Sequence, residues 1–87
     1  MRQTIDLNYP LDNGLKQLSI RRPKVRDMLA SEKASGSDAE KEIRLFANLC
    51  EVAPDEIESL DMADYQALQQ VYSGFLSSRP KTPAKAA

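Results

Sequence analysis

The stretch Thr4-Ile5-Asp6-Leu7-Asn8-Tyr9-Pro10-Leu11-Asp12-Asn13-Gly14-Leu15-Lys16-Gln17-Leu18-Ser19-Ile20 decides the fold class. Ile5, Leu7 and Tyr9 alternate with Thr4, Asp6 and Asn8, the period-two pattern of a strand with one buried face. Asn13-Gly14 is a strong hairpin signal, because both residues tolerate the positive φ of a type I′ turn. With those two residues as the loop, Asp12 faces Leu15, Tyr9 faces Leu18 and Leu7 faces Ile20, so the apolar side chains gather on one face. Pro10 cannot donate to a ladder and marks an edge there. The sequence therefore predicts a β-hairpin over residues 3–21.

Beyond the hairpin the pattern turns helical. Pro23 suits a first helical turn, and Val25, Met28 and Leu29 recur at i, i+3 and i+4, predicting a short helix over 23–33. Ser37-Asp38-Ala39-Glu40 is a capping box. It opens a helix over 38–51 whose apolar face holds Ile43, Phe46, Ala47 and Cys50, widened by Leu45 and Leu49. Pro54 with Asp55 and Glu56 starts a short helix over 54–60. Asp61 caps a last helix over 62–78, whose apolar side chains from Met62 to Leu76 cover roughly 200° of the wheel, where packing on one neighbour requires only ~100°. Its other face, Gln66, Gln69, Gln70, Ser73 and Ser77, is polar and uncharged. Residues 79–87 read as a disordered tail. The expectation is an α+β domain over 1–78: an N-terminal β-hairpin packed on three to four α-helices, with a flexible C-terminal tail.

Composition narrows the function. The 87 residues carry no histidine and one cysteine, Cys50, so there is no internal disulfide, no His/Cys zinc set and no base to activate the thiol. Cys50 on an apolar face reads as core. The acidic run Glu51, Asp55, Glu56, Glu58, Asp61, Asp64 lacks the alternating spacing of a calcium loop, and helix starts account for much of it. No cofactor, metal or catalytic residue is expected. No apolar run reaches the ~20 residues of a membrane span, and the N-terminus lacks the apolar stretch of a signal peptide, which reads as cytosolic. Net charge is −1 but uneven. Residues 1–33 carry seven basic and four acidic side chains, residues 34–78 two and nine, and the last nine residues three basic ones. That polarity suits steering of a partner or weak head-to-tail self-association. The cluster Arg21, Arg22, Lys24, Arg26 is the best nucleic-acid candidate, but no second basic element or groove-reading helix accompanies it.

Three segments resemble a known family. Gly14, Arg21-Arg22-Pro23 and Asp27 are similar to the turn glycine, Arg-Arg-Pro element and following aspartate of phage tail assembly chaperones of the E-protein and Mu-like type. Leu60-Asp61-Met62-Ala63-Asp64-Tyr65 followed by Gly74-Phe75-Leu76 resembles their Leu-x-x-x-Asp-Tyr…Gly-Phe ending. Asn48 to Pro54 resembles their helix–loop–helix joint, except that many of those relatives carry a glycine near Glu51 and this chain does not. The resemblance covers most of residues 5–76. It implies a non-enzymatic helper that binds the long, apolar tape measure protein in the host bacterial cytoplasm, keeps it soluble while the tail tube grows, and is absent from the mature virion. It also implies a longer form made by ribosomal frameshifting. A chaperone of helical apolar stripes needs a matching surface, and the wide arc of the last helix supplies one. Tyr65, Leu68, Tyr72, Phe75 and Leu76 are the candidate contact residues, with Arg21, Arg22 and Arg26 beside them. The alternatives are core packing for the apolar five, a small nucleic-acid-binding regulator using Arg21 to Arg26, or a minor structural virion protein.

Overall fold

A computed structural model describes residues 2–76. Strand β1 (Arg2–Asp6) pairs antiparallel with β2 (Gln17–Arg21), and four helices come after them: α1 (Val25–Lys33), α2 (Asp38–Cys50), α3 (Pro54–Glu58) and α4 (Met62–Leu76). The hairpin-plus-helices α+β class is as the sequence predicts. The expected end of the last helix at 78 and the tail over 79–87 lie outside the described residues.

The hairpin register differs from the one read from Asn13-Gly14. Ile5 pairs with Leu18 and Gln3 with Ile20, a shift of four residues. Because four is an even slip, Ile5, Leu18 and Ile20 still share one face. Asn13 does not adopt positive φ, whereas Gly14 does, at 93°, so no type I′ turn forms. Instead residues 7–16 make a wider loop. Its inner turn is closed by Gly14 N–H to the Leu11 carbonyl at 3.0 Å, and the Asn13 side chain accepts from Leu15 N–H at 3.0 Å. Pro10 lies in this loop and not on a strand edge, and Tyr9 is exposed rather than opposite Leu18.

The helices begin and end for local reasons. Lys24 is the N-cap of α1, one residue beyond Pro23, which therefore precedes the helix. Ser37 and Glu40 form the expected reciprocal capping box at α2, at 3.2 and 2.8 Å. At the far end of α2, Glu51 takes the left-handed conformation, φ 59° and ψ 44°. Val52 N–H then returns to the Ala47 carbonyl at 3.0 Å and Glu51 N–H to that of Asn48 at 3.3 Å, a Schellman closure normally made with glycine. The chain thus turns at Glu51 with a glycine-like backbone despite lacking the glycine.

The core forms where β2, α2 and α4 meet. Leu18 and Ile20 from the strand, Phe46 and Leu49 from α2 and Leu68 from α4 are all essentially without solvent exposure, and Ile57 and Leu60 close the α3 end. Each such side chain contributes about 1.5–3 kcal/mol by leaving water.

Candidate partner-binding surface

Two buried carboxylates, Asp27 and Asp64, organise the surface, and both fall in stretches the sequence singled out. Asp27, on α1, is buried. It accepts from Arg21 Nη1 and Nη2 at 2.9 and 2.8 Å, from Lys24 N–H at 2.8 Å and from Asn48 Nδ2 at 3.1 Å. The Arg21 hydrogen bonds, helped by the Lys24 amide and by the charges of Arg21 and Arg26, hold its carboxyl down at about 2 against the opposing effect of burial. Arg21 is raised in turn, chiefly by the same hydrogen bond. The second carboxylate is Asp64 of α4, equally buried, whose two oxygens accept from Asn8 N–H at 2.9 Å and Tyr9 N–H at 3.0 Å. Asp64 pins the wide loop to α4, while Asp61 caps that helix by accepting from Ala63 N–H at 3.0 Å. Nothing in the linear pattern marks Asp64 as a clasp rather than a second helix-start acid.

The basic cluster is therefore divided. Arg21 is committed to Asp27. Arg22 lies over the Phe75 ring, 5.6 Å from its centroid, a cation–π distance. Lys24 and Arg26 are exposed, and among the described residues neither is within ion-pair distance of an acid.

The α4 candidates are divided as well. Leu68 is fully buried and Phe75 nearly so. Both are core in this conformation, as the competing reading of the sequence allowed. Tyr65 and Tyr72 are half-buried and pack on Phe46 at centroid distances of 5.6 and 5.3 Å, tilted by 59° and 66°. The Tyr65 hydroxyl donates to Glu42, whose same oxygen accepts from Gln69 at 3.0 Å. Burial, and then the Glu42 hydrogen bond and charge, push the Tyr65 hydroxyl pKa well up. Leu76 is 57% exposed. The wide apolar arc of α4 is thus largely absorbed by two intramolecular neighbours, Phe46 on one flank and β1 on the other. Between β1 and α4 runs an open groove of about 530 Å³ floored by Ile5, Val71 and Phe75.

The apolar side chains that do face solvent are elsewhere. Val25, Met28 and Leu29 of α1 are 71%, 53% and 51% exposed, and Tyr9 and Met62 are also open. The i, i+3, i+4 stripe of α1 points outward, because the residue α1 buries is Asp27.

Cys50 is buried, and burial raises its thiol to about 11, where it is not a nucleophile at neutral pH. Among the described residues no group of three or more His, Cys, Asp or Glu could hold a metal, and no helix is long and apolar enough to cross a membrane.

Comparison with known proteins adds the family. The model of the phage tail assembly chaperone proteins, described as E, or 41 or 14, matches residues 4–77 of the 87, from β1 to the end of α4. No curated protein and no solved structure matches. The matched span takes in Arg21-Arg22-Pro23, Asp27, the left-handed joint at Glu51 and the Asp64-Tyr65…Gly74-Phe75 segment. The family is one of assembly factors and not of enzymes, and this chain belongs to the phage tail assembly chaperone family.

Proposed function

We propose that this chain binds the tape measure protein of its phage, a long helical polypeptide with exposed apolar stripes, and keeps it soluble in the host cytoplasm while tail tube subunits assemble around it. In this reading it leaves before the virion matures. Membership of the family supports a protein partner in tail assembly. The observation that carries the finer reading is the outward placement of large apolar side chains. Tyr9, Val25, Met28, Leu29, Met62 and Leu76 are each more than half exposed on a domain whose core is small. Single exposed hydrophobics are ordinary, but three clustered within about one turn on one face of a helix form a patch suited to another apolar helix. Leu76, with the half-buried edges of Tyr65 and Tyr72, offers a second strip on α4.

A nucleic-acid role through Arg21 to Arg26 is less well supported. Arg21 is neutralised by Asp27 and Arg22 lies on Phe75, which leaves only Lys24 and Arg26 of that cluster free to contact phosphates.

The test is co-expression of the full chain with the long helical proteins encoded beside it. A neighbour that is insoluble alone, but soluble and co-purified with this chain, establishes the reading. If none is rescued, the tape measure assignment fails.

A further inference from the structure

Helix α1 is built inside out. Its single buried side chain is an aspartate, and its three large apolar side chains lie on the solvent side. At 100° per residue Val25, Met28 and Leu29 span about 100°, and Asp27 lies roughly 150° from their centre. Hydrophobicity alone would rotate such a helix to bury the apolar stripe. What prevents this is the Asp27 node, in which four donors from Arg21, Lys24 and Asn48 converge on one carboxylate. Those donors come from β2, from the helix N-cap and from α2, so the rotation of α1 is fixed from three directions. A buried charged pair usually adds little net stability compared with an apolar replacement, and its attested use is to specify geometry. Here the geometry it specifies is an outward apolar face.

The charges around that face indicate what it accepts. Lys24 precedes Val25, and Arg26 and Lys33 border the stripe on one side. Among the described residues none of these three has an acidic side chain within ion-pair distance. Glu32 falls on the line of the stripe itself, one turn beyond Met28 and Leu29, and its carboxylate lies 4.0 Å from Lys41 of α2, which offsets its charge at that end.

We infer that the Val25–Met28–Leu29 face of α1 is the primary docking surface of this protein, and that it takes an amphipathic helix of the assembly partner whose apolar stripe is flanked by carboxylates. This deepens the proposed function and rests on it for the identity of the natural partner. The face itself can be tested without that partner. The apolar side chains would supply contact area, and Lys24, Arg26 and Lys33 would select an acidic flank and set register.

The experiment uses the full chain, isotopically labelled, and two synthetic helical peptides with the same leucine stripe, one flanked by glutamates and one by lysines. The glutamate-flanked peptide is expected to shift the amides of α1, with Val25, Met28 and Leu29 foremost, and to bind about tenfold or more tightly than the lysine-flanked one. Met28→Glu and Leu29→Glu lie on exposed positions, so each should keep the thermal midpoint of the unaltered protein and lose that binding. Leu29→Ala, smaller and uncharged, should weaken it without abolishing it. Equal binding of both peptides overturns the inference. So does binding that maps to Tyr9 and Leu60 or to α4, or a concentration-dependent shift of α1 without peptide, which would make a second copy the occupant. Duplex DNA moving the same amides in a salt-dependent way would overturn it too. If the peptide results hold while co-expression rescues no neighbour, the docking face stands and the tape measure reading falls. If a neighbour is rescued equally well by Met28→Glu, the reverse is true.

Discussion

Arg21 and Asp27 meet side by side, two guanidinium nitrogens on two carboxylate oxygens at 2.9 and 2.8 Å. The pair joins the end of β2 to the first turn of α1. With the Lys24 amide and Asn48 it leaves Asp27 fully satisfied although buried. The local resemblance to an N3 capping acid is only half of its role. The other half is orienting the helix.

The pair makes stability depend on pH in a defined direction. Asp27 titrates at about 2 in the fold against an ordinary 3.8. A depressed acid stabilises the fold fully above its unfolded value, and that contribution fades as pH falls from about 4 through 2. The span corresponds to about 2 kcal/mol. Asp27→Asn should remove most of this contribution at neutral pH and flatten the acid limb, because its amide nitrogen cannot accept from Arg21. Urea midpoints between pH 2 and 7 for the two proteins check this; parallel curves would mean that Asp27 is not the group responsible.

Asp64→Ala should free the loop over residues 7–16. Two amides, Asn8 and Tyr9, lose the carboxylate that accepts from them within a partly buried site, at a cost of about 1–3 kcal/mol. Hydrogen exchange should accelerate at those two amides more than at Ile5 or Leu18, which pair in the ladder. Uniform acceleration across the hairpin would show instead that Asp64 supports the whole fold.

These two acids also explain what could be read from the sequence and what could not. The period-two run up to Tyr9 and the capping box at Ser37 identified the hairpin and α2, since both signals are local. Register was not local. An even slip keeps Ile5, Leu18 and Ile20 on the same face, so alternation cannot tell a two-residue loop from a ten-residue one. The wider loop is chosen by Asp64, more than fifty residues away, and by Asn13 donating to Glu56 at 3.0 Å. The facing of α1 was hidden for a similar reason. Val25, Met28 and Leu29 have the spacing of a buried stripe, and only the convergence of Arg21 and Asn48 on Asp27 turns them outward. On α4 the sequence shows a wide apolar arc but not that Phe46 and β1 share it, which makes Leu68 and Phe75 core.

Glu51→Gly should stabilise the protein. A left-handed conformation costs a non-glycine residue about 1–2 kcal/mol, and Glu51 holds it at φ 59°. The change also removes the 2.8 Å ion pair with Arg2, but both side chains are well exposed and such pairs contribute about 0–1 kcal/mol. Glycine's greater freedom in the unfolded chain offsets some of the gain. A net rise of about 0.5–1 kcal/mol, seen as a higher thermal midpoint, is expected. A fall would mean that the Arg2 contact outweighs the backbone relief.

Phe75 and Leu76 are adjacent, and they separate fold from function on α4. Phe75 is buried beneath Arg22, whereas Leu76 is 57% exposed. Phe75→Asp would bury an unpaired charge and empty an aromatic site, and truncation alone costs about 3–5 kcal/mol. On a chain of this size that consumes most of the available stability, so the variant should lose its cooperative unfolding transition. Leu76→Glu places its charge in water and should unfold within about 0.5 kcal/mol of the unaltered protein. If the α4 strip contributes to partner binding, Leu76→Glu will lower the yield of soluble, co-purified partner while circular dichroism remains that of the native fold. An unchanged yield would confine docking to α1, and a folded Phe75→Asp would remove Phe75 from the core.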